Sequence, residues 1–167
     1  ALGDAAANVY ALAGEGVASL YSNDAGAWVG SLTAFEGGKG YWLVANSDFS
    51  FSFNSNGGSL AKQKPIRTVP EVYSFAQSNQ QAFFFVNNAT IRGEALESDD
   101  IIIVYNGDQI VGARYWDVNS EMTDVPAMGL VGQVTDNDKI LSRAEEAYMN
   151  YCKQGDKVSF KVWDASD

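Results

Sequence analysis

Carboxylates are the only catalytic raw material this sequence holds in quantity: 21 Asp and Glu side chains stand in a chain of 167 residues that has no histidine. Glycoside hydrolysis needs two such groups facing each other across a cleft. Asp99-Asp100 precedes an apolar run, Glu145-Glu146 falls in a helical pattern, and Asp136 and Asp138 flank Asn137. None of these pairs comes with an aromatic platform that spacing alone can place opposite it. In a chain this acidic, adjacent acids are explained by solvated surface. The absence of histidine removes the commonest general base and the commonest transition-metal ligand together, which leaves serine triads and zinc sites without their usual parts. The one cysteine, Cys152, has no internal disulfide partner. It reads as a small apolar residue at a helix end rather than as a nucleophile. The expected catalytic set is therefore empty, and the chain is expected not to be an enzyme.

Oxygen ligands remain. Asp136, Asn137 and Asp138, and separately Asn106 with Asp108, could hold a hard cation, and calcium is the one cofactor such residues would suit. No twelve-residue calcium loop with a central glycine and a closing Glu follows Asp136, and helix capping explains Asp136 or Asp138 without an ion. Gly37-Gly38-Lys39-Gly40 lacks the spacing and the Ser or Thr of a phosphate loop and reads as a turn. Asn88-Ala89-Thr90 fits the glycosylation acceptor pattern of a eukaryotic secreted chain. Trp28, Trp42, Trp116 and Trp163 each sit in an apolar run, so core packing competes with sugar stacking. Arg114, between Ala113 and Tyr115, is the cation to watch: an Arg in a β run beside aromatic residues is paired with an acid or placed at an interface. Arg114 and Trp116 are the candidate binding residues.

These residues must be carried by short strands. Val9 to Leu12, Val17 to Tyr21, Trp28 to Leu32 and Tyr41 to Val44 are apolar segments separated by turn chemistry such as Gly14-Glu15-Gly16 and Ser22-Asn23-Asp24. Leu2 to Ala7 reads as one alanine-rich helical turn capped by Asp4. Phe49-Ser50-Phe51-Ser52-Phe53 gives the clearest alternation in the chain, three rings on one face as a half-buried strand requires. Ala82 to Val86 is apolar throughout and reads as a strand buried on both faces. Ile101 to Tyr105 and Ile110 to Trp116 flank Asn106-Gly107-Asp108, the strongest hairpin signal here. Residues 138–152 switch to helical spacing through Ile140, Ala144, Ala147, Tyr148 and Tyr151, predicting one amphipathic helix. Val158 to Trp163 alternates again as a last strand. The fold class that follows is mainly β, all-β or α+β, as an antiparallel β-sandwich with one helix in the second half.

Composition agrees with a folded chain: 46% of residues are hydrophobic, 13% aromatic and only 19% charged, so a core can be built. Asn54 to Pro70, rich in Asn, Gly and Ser and carrying two prolines, reads as a break. The expected organisation is a small β-rich module over residues 1–56, a linker or long loop over 57–70, and a sandwich-like domain over 71–167. The net charge of −10 argues against nucleic acid and anionic lipid as partners. No apolar run has the length of a membrane span, so membrane insertion is not expected. The first residue is Ala1, which is read as a processed chain or a piece of a longer one.

Gly14-Glu15-Gly16-Val17-Ala18, Trp28-Val29-Gly30-Ser31-Leu32 and Glu36 to Trp42 resemble a module that recurs in long surface proteins of marine microbes and in virion proteins of cyanophage-type marine phages. A companion pattern covers the second half: Gln81 to Phe85, Asn106-Gly107-Asp108, Val111 to Trp116, Asp124 to Gly129, then Gly155-Asp156, Phe160-Lys161 and Asp164-Ala165-Ser166. It is similar to the module that commonly follows the first. This chain departs from the pattern after Met128-Gly129, where a helical stretch to Cys152 replaces a short acidic, glycine-rich turn. The resemblance implies a setting, a large virion or extracellular assembly, rather than a reaction. The expectation is a non-enzymatic structural or recognition module at a virion surface or outside the cell, contacting other subunits of the same assembly. The alternative is a carbohydrate-binding or adhesin domain that contacts cell-surface glycans.

Overall fold

The computed structural model describes residues 2–51, 62–130 and 150–166. It is mainly β with antiparallel sheets, in agreement with the sequence. The first half forms one sheet from β1 (Val9–Gly14), β2 (Val17–Ser22), β3 (Ala27–Val29) and β4 (Trp42–Ala45), in the order β3-β2-β1-β4. The β1–β2 hairpin closes through Glu15 and Gly16, where Gly16 adopts φ +67°, a region glycine enters without steric cost. Leu2, Val9, Leu12 and Leu32 form the core of this half, with Trp28, Phe35, Tyr41 and Phe49 packed around them. Two local expectations change. The opening turn is a 3-10 helix over Gly3–Asn8 flanked by Leu2, and Asp4 lies within its first turn without capping it. Phe49 to Phe51 form no strand: Phe49 packs on the core while Phe51 is exposed, the two rings stacking at 5.8 Å. Alternation marks which side chains share a face, but a strand also needs a neighbour to pair with. Ser52 and Phe53 lie outside the described residues.

The second half contains β5 (Gln81–Val86), β6 (Thr90–Ile91), β7 (Glu94–Ala95), β8 (Ile101–Asn106), β9 (Gln109–Tyr115), β10 (Thr123–Met128) and β11 (Ser159–Trp163). The β8–β9 hairpin forms as predicted, with Asn106 opposite Gln109 and Gly107 at φ +60° in the two-residue loop. β11 pairs with the other side of β8, and β10 pairs with β5. Residues directly opposite in an antiparallel pair share a face, so Ile102 and Val104 point toward Val111, Val125, Ala127 and Met128 to form the main core. The opposite face of β8, with Ile101 and Ile103, is covered by Val69, Tyr73 and Phe75. Burial on both faces thus falls to β8, and also to β10, rather than to Ala82 to Val86. β5 alternates between half-buried and exposed residues and leaves Phe84 36% exposed, because its described strand partner is β10 alone.

β10 carries no strand signal in the sequence, since Pro126 argues against a central strand, yet every residue of it is buried. It survives because it pairs with β5 on one side and lies against β9 on the other in very close contact: a Cβ at Gly112 would stand 1.6 Å from the Pro126 carbonyl oxygen. The predicted helix over 138–152 lies outside the described residues except for its last three. These form a turn, a bend and a one-residue parallel bridge between Cys152 and Gly129. The described part of the predicted linker, residues 62–70, has neither helix nor strand but is fastened at intervals. Gln63 bonds Ser31, Thr33 and Ala34, and Arg67 bonds Asp99 while lying 3.6 Å over the Tyr115 ring.

Candidate functional site

Arg114 lies on β9 opposite Ile102 and so points to the side on which β10 packs. Its guanidinium does not stay in that core. Nε donates to the Asp124 carbonyl oxygen at 2.9 Å, and Nη2 reaches the Asp124 carboxylate at 3.3 Å and the Gly16 carbonyl at 2.6 Å. Asp124 is the second residue of β10 and is directly opposite Phe85. Its carboxylate receives the Ala18 N–H at 3.2 Å, the Ser31 N–H at 2.8 Å and the Ser31 hydroxyl at 2.6 Å. Arg114 is thus paired with an acid, one of the two fates the sequence left open. The pair belongs to the second half of the chain, while three of the residues it grips, Gly16, Ala18 and Ser31, belong to the first.

The surrounding chain shapes this junction. Gln81, the first residue of β5, receives the Gly16 N–H on Oε1 at 3.2 Å and donates from Nε2 to the Gly14 carbonyl at 2.5 Å. The β1–β2 turn is therefore held at three backbone groups, the Gly14 carbonyl and the Gly16 N–H and carbonyl, by side chains from the other half. Gly30, at φ +118°, allows the chain after β3 to pass over β2: a Cβ there would stand 2.4 Å from the Ala18 carbonyl oxygen. That passage delivers both the N–H and the hydroxyl of Ser31 to Asp124.

Both charges are deeply buried, Arg114 at 8% and Asp124 at 3% exposure. Burial pushes the Asp124 carboxyl up from its ordinary range, while the Arg114 charge and the donors of Ser31 and Ala18 pull it back. Burial likewise lowers the Arg114 guanidinium, against the pull of Asp124. Desolvating two ions is tolerable only when their remaining lone pairs and protons find partners. Asp124 accepts from four donors, three on Oδ2 (the Ala18 N–H, the Ser31 hydroxyl and Arg114) and one on Oδ1 (the Ser31 N–H). No buried side-chain nitrogen or oxygen among the described residues is left without a partner. Because these donors come from both halves of the chain, the arrangement fastens two sheets together.

The other sequence candidates do not join this cluster. Trp116 packs half-buried against the main core, and its N–H bonds the Asp100 carbonyl at 2.9 Å. Asp100 is itself buried and accepts the Glu97 and Ala165 N–H groups, so it closes a turn and ties down the segment after β11, whereas neighbouring Asp99 is exposed against Arg67. Asn106 donates its amide to the Asn150 carbonyl and to the Asp156 carboxylate. Asp136, Asn137 and Asp138 lie outside the described residues, as do Glu145 and Glu146. No group of three or more metal-ligating side chains occurs among the described residues. Cys152 is half-buried, and burial together with the Asp156 charge pushes its thiol up. Ser31, Gln81 and Asp124 enter the sequence reading only as members of the resemblance motifs, with no role assigned, and Gln63 is not singled out at all.

No helix among the described residues is long and apolar enough to cross a membrane. In comparisons with known protein families, curated proteins and solved structures, none matches this chain.

Proposed function

We propose that this chain is a structural or recognition module of a virion or extracellular assembly, built to present strand faces and edges to neighbouring subunits and not to catalyse a reaction. One observation carries this reading: the most deeply buried ion pair of the described residues, formed within the second half, is hydrogen-bonded by backbone and hydroxyl groups of the first half. Its charges are therefore committed to holding the two sheets in a fixed relation. Rigidity of that kind suits a part whose surfaces must stay in register with neighbours. The outer strands add contact material. Trp42 on β4, Phe84 on β5, and Phe160 and Trp163 on β11 are 36% to 53% exposed, and aromatic residues are enriched where proteins meet. The test is imaging of the particle or filament from which the chain comes, together with light scattering of the purified protein. Repeated copies in a symmetric array support the proposal. A strictly monomeric protein that is absent from any assembly refutes it.

A second reading, a carbohydrate-binding or adhesin domain, draws on Tyr21 and Trp28. They stand opposite each other on one face of the first sheet with Tyr21 39% exposed, and Tyr10 on β1 is 46% exposed. Their rings meet edge to face at 6.0 Å and 73°, so they offer no flat shared platform. Glycan-array binding that disappears on Tyr21→Ala would favour this reading over the first.

A further inference from the structure

The face of the first sheet that carries Leu12, Ser19 and Trp28 is hollow. A cleft of about 390 Å³ opens between it, the 3-10 helix over Gly3–Asn8 and the chain from Gly30 to Phe35, a volume in the lower part of the range for small-molecule sites. Leu2, Leu12 and Leu32 form its floor at 9%, 8% and 7% exposure, and Trp28 and Phe35 stand in its walls. In a chain of net charge −10, none of the described residues that line the cleft is ionisable. Its hydroxyls are also engaged. Ser19 donates to the Val29 carbonyl at 2.9 Å, and Thr33 lies 3.4 Å from Gln63 Oε1 and accepts the Lys64 N–H at 3.2 Å.

The cleft does not depend on an occupant to stay open. Its outer wall is pinned from behind by Gln63, whose Oε1 accepts the Thr33 and Ala34 N–H groups at 2.9 and 3.1 Å while Nε2 donates to the Ser31 carbonyl at 2.6 Å. Leu32 N–H bonds the Ala18 carbonyl at 2.9 Å, which fixes the inner end of the same wall. A polar fastening of this kind holds apolar walls apart that would otherwise close on each other, and a preformed site does not have to be ordered when a ligand enters. We infer that this cleft is a binding site for an uncharged, predominantly apolar small molecule of one or two rings or a short aliphatic chain. Charged ligands would lose hydration with no counter-charge to meet them. Saccharides would find the hydroxyls already bonded within the protein. The inference is independent of whether the chain assembles with other subunits.

The test is titration of the ¹⁵N-labelled protein with 6-propionyl-2-(dimethylamino)naphthalene, an uncharged two-ring probe whose emission shifts in apolar surroundings, read by amide shifts and by fluorescence. The expected result is saturable one-to-one binding with shifts concentrated at Ala6, Gly30 and Ala34. Ala34→Leu, which narrows the cleft, should weaken binding at least tenfold. Phe84→Ser, which removes an exposed ring elsewhere, should leave it unchanged. Amide spectra of both variants establish that they are folded. Where Ala34→Leu fails to fold, the shift map of the unaltered protein decides alone. Absence of saturable binding, shifts that spread over β5 and β11 instead, or equal affinity in a folded Ala34→Leu protein would each overturn the inference.

Discussion

Replacing Arg114 by Ala is the most direct perturbation of the junction. It removes three hydrogen bonds, to the Asp124 carbonyl, the Asp124 carboxylate and the Gly16 carbonyl, and it leaves the Asp124 side chain at 4% exposure without a counter-charge. Breaking a buried pair from one side costs about 3–5 kcal/mol, because the surviving ion remains desolvated. At roughly 2–4 °C per kcal/mol for a chain of this size, the melting temperature should fall by about 6–20 °C. Calorimetry or a urea titration measures the loss, and amide hydrogen exchange locates it: the N–H groups of Ala18 and Ser31, which donate to Asp124, should lose protection before those of β8. Removing both charges together, as Arg114→Met with Asp124→Leu, should recover much of the loss, since no ion is then left buried. A loss for Arg114→Ala below about 1 kcal/mol, the size of an exposed ion pair, would refute the claim that this pair fastens the halves. Unchanged exchange at Ala18 and Ser31 would refute it equally.

Asp124 also sets a pH signature. Its carboxyl is raised by burial, so the folded state holds that proton more tightly than the unfolded chain does, and its contribution is fully present below the ordinary carboxylate range and lost as pH rises through the raised value. The stability of the wild-type protein minus that of Asp124→Asn, measured by urea melts between pH 3 and 8, should therefore decline with rising pH; a rise would contradict it. Gly112→Ala places a Cβ 1.6 Å from the Pro126 carbonyl oxygen, and overpacking of this kind costs about 1–3 kcal/mol or more, so thermal melting should show a clear drop where a surface glycine such as Gly37, with open space around it, shows little. Trp116→Ala should lower stability on the order of 2 kcal/mol by hollowing the main core, and any glycan binding should survive it in protein that remains folded. Lys39→Met breaks only the exposed contact with Glu15 and should leave the melting temperature unchanged within error.

Local chemistry made much of this fold legible. Asn106-Gly107-Asp108 between two β-branched runs specifies its own hairpin, because the loop needs a residue that tolerates positive φ and the flanks favour pleated pairing. The same holds for the β1–β2 turn at Gly16. What the sequence could not supply was partnership between segments far apart. Phe49 to Phe53 alternates well, yet Phe49 to Phe51 form no strand. Thr123 to Met128 alternates poorly and contains a proline, yet it is the most completely buried strand, because β5, β9 and the first half surround it. Burial on both faces likewise went to β8, which the chain from Val69 to Phe75 covers, and not to β5, whose described strand partner is β10 alone.

The candidate site divides along the same line. Arg114 was visible as an unusual cation in a β run, because a charge among apolar residues must be compensated wherever it ends up. Its partner Asp124 lies ten residues away across the packing of β9 on β10, and that Gly16, Ala18 and Ser31 close around the pair depends on contacts spanning 93 to 106 residues of sequence. Periodicity, propensity and charge are read within a few residues of one another and so fix strands, turns and the need for a counter-ion. Which distant backbone groups meet that need is decided only when the sheets pack, since packing alone brings those groups within hydrogen-bonding distance.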